Sequence, residues 1–259
     1  MKIIFACRHS PAAYYIAHSL AEKDLIEAII IESGTQARAA KLRRVLRKSS
    51  IISLPITFLD LTSITLYSYL CNKDLKKHLL LQYQIHDFPK EIPKFYIDNI
   101  NESSCLEFLR AKNPDILIVQ GTSILKREVI AIPYQFILNI HGGIVPEYRN
   151  VHSDFWALLM GDYAHIGTSI IYLDEGIDSG DLALQSTIQW QLGDGILAIK
   201  RKNLKLAGQL ILDAIHKAEQ NKLPRQSQAK STIGFFSTPT ARNILALLVR
   251  TMKSKWFSR

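Results

Sequence analysis

Short apolar, β-branched runs alternate with longer stretches of helical periodicity along most of this chain. KIIFAC (2–7) and LIEAIIIE (25–32) read as buried strands, with AAYYIAHSLAEK (12–23) between them as a helix. Ser10-Pro11 is a helix-start signal, Ser as N-cap and Pro at the first helical position. KFYIDNIN (94–101) follows the Pro-rich HDFPKEIPK as a third strand. SSCLEFLRAK (103–112) is a helix carrying Leu106, Phe108 and Leu109 and opened by Ser103 or Ser104. DILIVQGT (115–122) is the clearest buried strand, SILKREVIAIP (123–133) a short helix or turn, and FILNIH (136–141) the next strand. HSDFWALLMGD (152–162) then reads as a helix, IGTSIIYLD (166–174) and LALQSTIQW (182–190) as strands, and ILAIKRKNLKLAGQLILDAIHKAEQ (196–220) as a long amphipathic helix.

The β-α-β opening predicts an α/β fold: an open, Rossmann-like, mostly parallel sheet with helices on both faces. Residues 1–219 form this α/β domain. No GxGxxG or GxxxxGK[ST] follows the first strand, so the standard dinucleotide and P-loop fingerprints are absent. Residues 35–84 interrupt the alternation as a helical insertion after the second strand. There ARAAKLRRVLRK precedes IISLPITFLDLTSITLYSYL and NKDLKKHLLLQY. The middle twenty residues approach the length of a membrane span, but Pro55, Asp60 and several Ser and Thr argue against burial in lipid. Helices packed on the domain are expected, with a basic amphipathic hairpin on a membrane surface (38–70) as the alternative. Residues 220–259 form a basic linker and a last helix, with Thr238 as cap, Pro239 at its first position, and Ile244, Leu245, Leu248 and Val249 as its apolar face.

Composition adds charge to this picture. The chain of 259 residues is 47% apolar and 21% charged, ample for one core, with a formal charge of +9. From Gln220 onward there are eight Lys and Arg and no acid; Arg38, Lys41, Arg43, Arg44, Arg47 and Lys48 form a second acid-free patch. These fit solvated faces, or attraction to substrate phosphates, RNA or an anionic membrane. Cys7, Cys71 and Cys105 form no CxxC pair, which points away from a disulfide framework or a thiolate zinc site. With an N-terminal apolar run too short for a signal sequence, a cytoplasmic location is expected.

Asn139 and His141 sit two apart at the end of a strand, so amide and imidazole project from one face. Asp178 follows the next apolar strand in a turn rich in Gly and Asp. Ligands of open α/β sheets bind beyond the carboxyl ends of the strands. An amide donor for an oxyanion, an imidazole to move a proton and a carboxylate to orient it suit acyl transfer to an amine without a Ser or Cys nucleophile. Asp178 also fits an ordinary turn residue. A metal site from His141, His152, His165 and Asp178 lacks any short ligand spacing such as HExxH, and none is expected.

NIHGGIVPEYRN (139–150), the helix after it, GTSIIYLDEGIDSGD (167–181) and an LQ strand together resemble the catalytic core of the formyltransferases that use 10-formyltetrahydrofolate. The resemblance is good over about 115–185 and loose over the opening β-α-β. It implies that Asn139, His141 and Asp178 are catalytic. It further implies that Gln120, Gly121, Thr122, Ser123, Ile124 and Leu125 wall a folate pocket with Asp174 and Gly176 opposite. Arg149 and His152 then lie toward the acceptor, His152 aligning with a second active-site histidine of some members. Gly143 stands where the family usually has Ser, and Asn150 where it has Gly. The implied acceptor is a small-molecule primary amine bearing phosphate, that of a nucleotide-linked amino sugar. The alternatives are the methionyl-tRNA and glycinamide ribonucleotide types, the former usually having a longer C-terminal domain. The family's formate-releasing hydrolase typically begins with a regulatory domain, for which a first strand at residue 3 leaves no room. A non-catalytic membrane- or RNA-binding protein on the same scaffold is the reading from another class.

Overall fold

The structure is a computed structural model that describes residues 1–35, 39, 43, 45, 47, 53–229 and 235–257, the side chains of 253–257 excepted. Most of the basic run at 38–48 therefore lies outside the described residues. β1 (Ile3–Arg8) is an unbroken apolar run because both its faces are covered. Ile3, Phe5 and Cys7 point to one face, with α1 (Pro11–Ala21) against them. Ile4 and Ala6 point to the other. Ser10 Oγ accepts from Ala13 N at 3.1 Å with Pro11 in the first turn, so α1 starts where the sequence marks it.

β2 (Ala28–Glu32) pairs parallel with β1. α2 (Leu54–Tyr83) then runs for thirty residues within the helical insertion expected over 35–84. β3 (Lys94–Ile97), α3 (Ser103–Lys112), β4 (Ile116–Gln120), the one-turn α4 (Arg127–Ile130) and β5 (Phe136–His141) follow. Neither Ser103 nor Ser104 caps α3. Glu102 stands at the cap and turns its carboxylate outward to the Asp98 and Asn99 amides. After the two-residue β6 (Arg149–Asn150) come α5 (Ser153–Met160), β7 (Gly167–Tyr172), β8 (Leu182–Thr187) and the long α6 (Ile196–Glu219). β9 (Phe235–Phe236) and α7 (Ala241–Phe257) complete the described chain.

The main sheet runs β3-β2-β1-β4-β5-β7-β8. Its first five strands are parallel, while β7 is antiparallel to β5 and β8 to β7. The strand order reverses between β1 and β4, which makes their carboxyl ends the natural ligand crevice. α1, α6 and the second half of α2 cover one face, and α3 and α4 the other. A third cluster joins Tyr67 and Cys71 of α2, Phe155 and Leu158 of α5, Ile199 of α6 and Leu247 of α7. All three cysteines are free and buried.

The tail departs from its reading in two ways. α7 begins after Thr240, not Thr238. The Thr240 hydroxyl accepts from Asn243 N at 3.3 Å while Asn243 Oδ1 accepts from Thr240 N at 2.9 Å, a reciprocal cap denied to Thr238 because Ala241, three residues on, has no side-chain acceptor. The packed side of α7 is Leu247 with Ile244, whereas Leu245, Leu248 and Val249 are exposed.

Candidate active site

Ile137, Asn139 and His141 share one face of β5, and beyond Ile137 the apolar cluster on that face ends. The next two side chains on it are therefore free to be polar. Asp178 reaches them in an unexpected way. Because β7 runs antiparallel, its carboxyl end lies beside the start of β5, Leu173 N donating to Ile137 O at 2.9 Å. The loop after β7 leans back over the sheet, and Asp178, at φ +50°, is its point of return. Gln228 holds that loop by donating to the carbonyls of Asp178 (3.0 Å) and Gly180 (2.6 Å).

Three groups converge on the Asp178 carboxylate. Asn139 Nδ2 donates to Oδ1 at 3.0 Å, Asn150 N donates to Oδ2 at 2.8 Å, and His141 Nδ1 lies 3.3 Å from Oδ2. The His141 and Asp178 side chains are only 7% and 11% exposed. On the far side of the ring, Nε2 is 2.7 Å from Tyr148 O and 3.3 Å from Ser153 Oγ. A carbonyl only accepts, so Nε2 carries a hydrogen and Nδ1 is the ring atom turned to the carboxylate. The ring is thus oriented from both sides, and the proton it can exchange lies on the Asp178 side.

A cavity of about 520 Å³ opens beside these groups. Gln120, Gly121, Thr122, Ser123, Ile124 and Leu125 line it, as do Asp174, Gly176, Asn139, His141, Asn150 and Asp178. Asp174 is occupied in holding its own turn, accepting from Gly176 N (2.9 Å) and Ser179 Oγ (3.0 Å). Arg149 and His152 are not among the lining residues. Arg149 donates to Gln228 Oε1 at 2.8 Å, and His152 lines a smaller adjoining cavity of about 210 Å³ with Asp154 and Lys200. In that recess the Lys200 ammonium is 2.8 Å from Asp154, which raises its pKa against the opposing effect of burial.

Two residues of the site had no signal in the motif reading. Arg8, at the end of β1, lines the large cavity, and Glu32, at the end of β2, fastens its wall. The buried Glu32 carboxylate accepts from Ser123 N (3.1 Å), Ser123 Oγ (2.8 Å), Ile100 N (3.1 Å) and Arg8 Nε (3.0 Å). A charged residue closing each of two buried strands was the available clue. Such a group is retained in a core only when it is paired.

An open sheet with a switch point at β1 and β4, and a polar trio beside the resulting cleft, define an α/β protein built to take a small ligand beyond its strand ends. The family model described as formyl transferase matches residues 71–215, more than half of the chain, and the chain belongs to that family. It is 30% identical over 135 residues to a methionyl-tRNA formyltransferase of Methylacidiphilum infernorum, covering 52% of this chain and 42% of that protein. The chain spans less than half the length of the curated relatives it matches. Among solved structures, a sugar N-formyltransferase from Shewanella superposes with a TM-score of 0.59 at 12% identity, over 97% of this chain and 87% of that one. The N-formyltransferase from Helicobacter canadensis, in complex with folinic acid and dTDP-3-aminofucose, gives 0.56 at 15% identity, over 92% and 71%. At these identities the superpositions establish the shared fold.

Proposed function

We propose that this chain is an N-formyltransferase that moves a formyl group from 10-formyltetrahydrofolate to a primary amine, that of a nucleotide-linked amino sugar. The observation that carries the reading is the Asp178 carboxylate, bonded to Asn139 and facing His141 at the edge of a ligand-sized cleft. A volume of about 520 Å³ suits a small organic molecule. The lining also fits the pterin of a folate. Gln120 Oε1 is buried without a hydrogen-bond partner, a free acceptor for ring N–H groups. Gly121, at φ +66°, has no atom within 4 Å of where its Cβ would be, which leaves backbone accessible beside it. Gln120 to Leu125 would hold the folate, which brings the formyl group to be transferred.

The chain's own residues then have separate tasks. Asn139 uses one N–H on Asp178, and its second is left to stabilise negative charge on the formyl oxygen as the amine adds. Asp178 and His141 accept the proton that the attacking nitrogen loses and return it to the nitrogen that leaves. A new N–C bond forms, the old one breaks, and the proton balance is zero. The Helicobacter neighbour's dTDP-3-aminofucose supports an amino-sugar acceptor. The methionyl-tRNA relatives and the acid-free tail favour a second reading, formylation of an aminoacyl-tRNA.

Both readings are tested by mixing the protein with 10-formyltetrahydrofolate and, in turn, amino-sugar nucleotides, methionyl-tRNA and glycinamide ribonucleotide, while following tetrahydrofolate release. Release with an amino-sugar nucleotide is expected. Release only with the tRNA would transfer the assignment to the second reading, and none with any amine from folded protein would remove both.

A further inference from the structure

α2 has two apolar sides, and the protein covers one. Tyr67, Cys71, Leu75 and Leu79 form the packed stripe, with Ile64 against it. Ion pairing of Asp74 with Arg201 of α6 fixes the same side. On the opposite side Phe58, Leu59, Leu66, Tyr69 and Leu70 are each more than half exposed. Their spacing puts them on a single stripe that ends in the exposed Lys73, Lys76 and Lys77. The hydroxyls of Thr57, Thr62 and Thr65 bond back to the carbonyls of Ser53, Phe58 and Leu61, which removes polarity from the helix surface. Between Ser49 and Asn72 the sequence has one charged residue, Asp60, and its carboxylate accepts from Ala241 N at the start of α7. α7 packs on α2 and exposes a second apolar set, Leu245, Leu248, Val249 and Met252.

An apolar face of this extent on a soluble surface marks a docking site. The charge beside it selects the occupant. The exposed Arg43 and Arg47 precede α2, and the exposed Arg242 and Arg250 lie on α7, with no acid from residue 33 to 59 or from 220 to 259. A second copy would bring the same cations face to face. An anionic bilayer meets both requirements, taking up apolar side chains and attracting Lys and Arg. We propose that the outer faces of α2 and α7 hold this protein on the surface of an anionic membrane. α2 lies flat there, since its inner stripe and Asp74 stay bound to the domain.

The full chain is centrifuged with vesicles of phosphatidylcholine alone, and with vesicles containing 30% phosphatidylglycerol, at about 0.15 M salt. Binding to the anionic vesicles only is expected. Leu66→Ser with Leu70→Ser, both on the exposed side, lowers the partition coefficient about a hundredfold, because each large side chain withdrawn from lipid is worth roughly tenfold. Circular dichroism is unchanged in that variant. Lys73→Gln with Lys77→Gln weakens binding and reduces its salt dependence. No wild-type binding, or equal binding by the Ser variant, overturns the proposal. So does a dimer in light scattering that Leu66→Ser and Leu70→Ser dissolve, which would identify a second copy as the cover. No substrate is present in these assays, so their failure is separate from any failure of the formyl-transfer reading.

Discussion

Gly143 leaves beside His141 a space that Ser153 fills. A Cβ at Gly143 would stand 2.4 Å from Ser153 Cβ and 2.8 Å from His141 Nε2. The Ser expected at 143 from the resemblance is thus replaced by a hydroxyl from α5, which donates to Tyr148 O at 3.0 Å and lies 3.3 Å from the imidazole. Gly143→Ser alone forces the two side chains into one volume and should destabilise the protein by about 1–3 kcal/mol, the usual cost of overpacking. Gly143→Ser combined with Ser153→Gly should restore both the stability in urea unfolding and the turnover. Recovery of neither would show that Ser153 does not stand in for the missing side chain. Asp178 is more exacting, since its carboxylate meets three partners at once. Asp178→Asn removes the charge facing His141 and its proton-accepting capacity, and should lower turnover by about 10²–10⁴-fold, as for other general acid–base groups. Stopped-flow or steady-state rates with a folded variant check this, and a near-normal rate would withdraw the role.

At the scale of elements, the cavity wall from Gln120 to Leu125 is held by a strand end far away in sequence. Glu32 of β2 binds both the amide and the hydroxyl of Ser123, so the loop after β4 is fixed by a buried charge. Glu32→Gln keeps the shape, leaves Arg8 without its counter-charge and turns one acceptor into a donor. A loss of about 3 kcal/mol in unfolding free energy is expected, the lower end for breaking a buried pair because Arg8 is partly exposed. A raised KM for the formyl donor should accompany it, and an unchanged KM would mean that the wall keeps its form without Glu32. The strands and long helices were legible because a buried parallel strand must be apolar on both faces and a surface helix on one. The joint placement of Asn139 and His141 followed from the two-residue period of β5. Other features depended on partners that sequence spacing does not reveal. The reversed β7, the return of the 173–181 loop and the Arg8–Glu32 pair are all of this kind. The packed face of α7 differs from its sequence pattern for a related reason. Its heptads are apolar on more than one side, and contact with α2 and α5 selects Ile244 and Leu247 rather than Leu245, Leu248 and Val249.

For the molecule as a whole, the tail is coupled to the cleft. β9 pairs with β6, Asn150 Nδ2 donates to Phe236 O at 2.7 Å, and Trp156 Nε1 donates to Ser237 O at 2.9 Å. Gln226 exchanges backbone hydrogen bonds with Leu182, which places Gln228 between Arg149 and the Asp178 loop. Gln228 gives both hydrogens of its amide to that loop and accepts from Arg149, so one side chain joins tail, β6 and the proposed base. Removing it leaves the trio chemically complete but lets the carboxylate drift. Misplacement of a reacting group by about 1 Å can cost roughly a hundredfold in rate. Gln228→Ala should therefore lower kcat ten- to a hundredfold while the KM of the donor, proposed to lie along Gln120 to Leu125, stays within about twofold. Circular dichroism and the urea midpoint should move little, since the side chain makes no part of the core. A fall in stability without a fall in kcat would make Gln228 a structural clamp alone. A fall in kcat at constant stability would show that residues far from the motif set the geometry of Asp178.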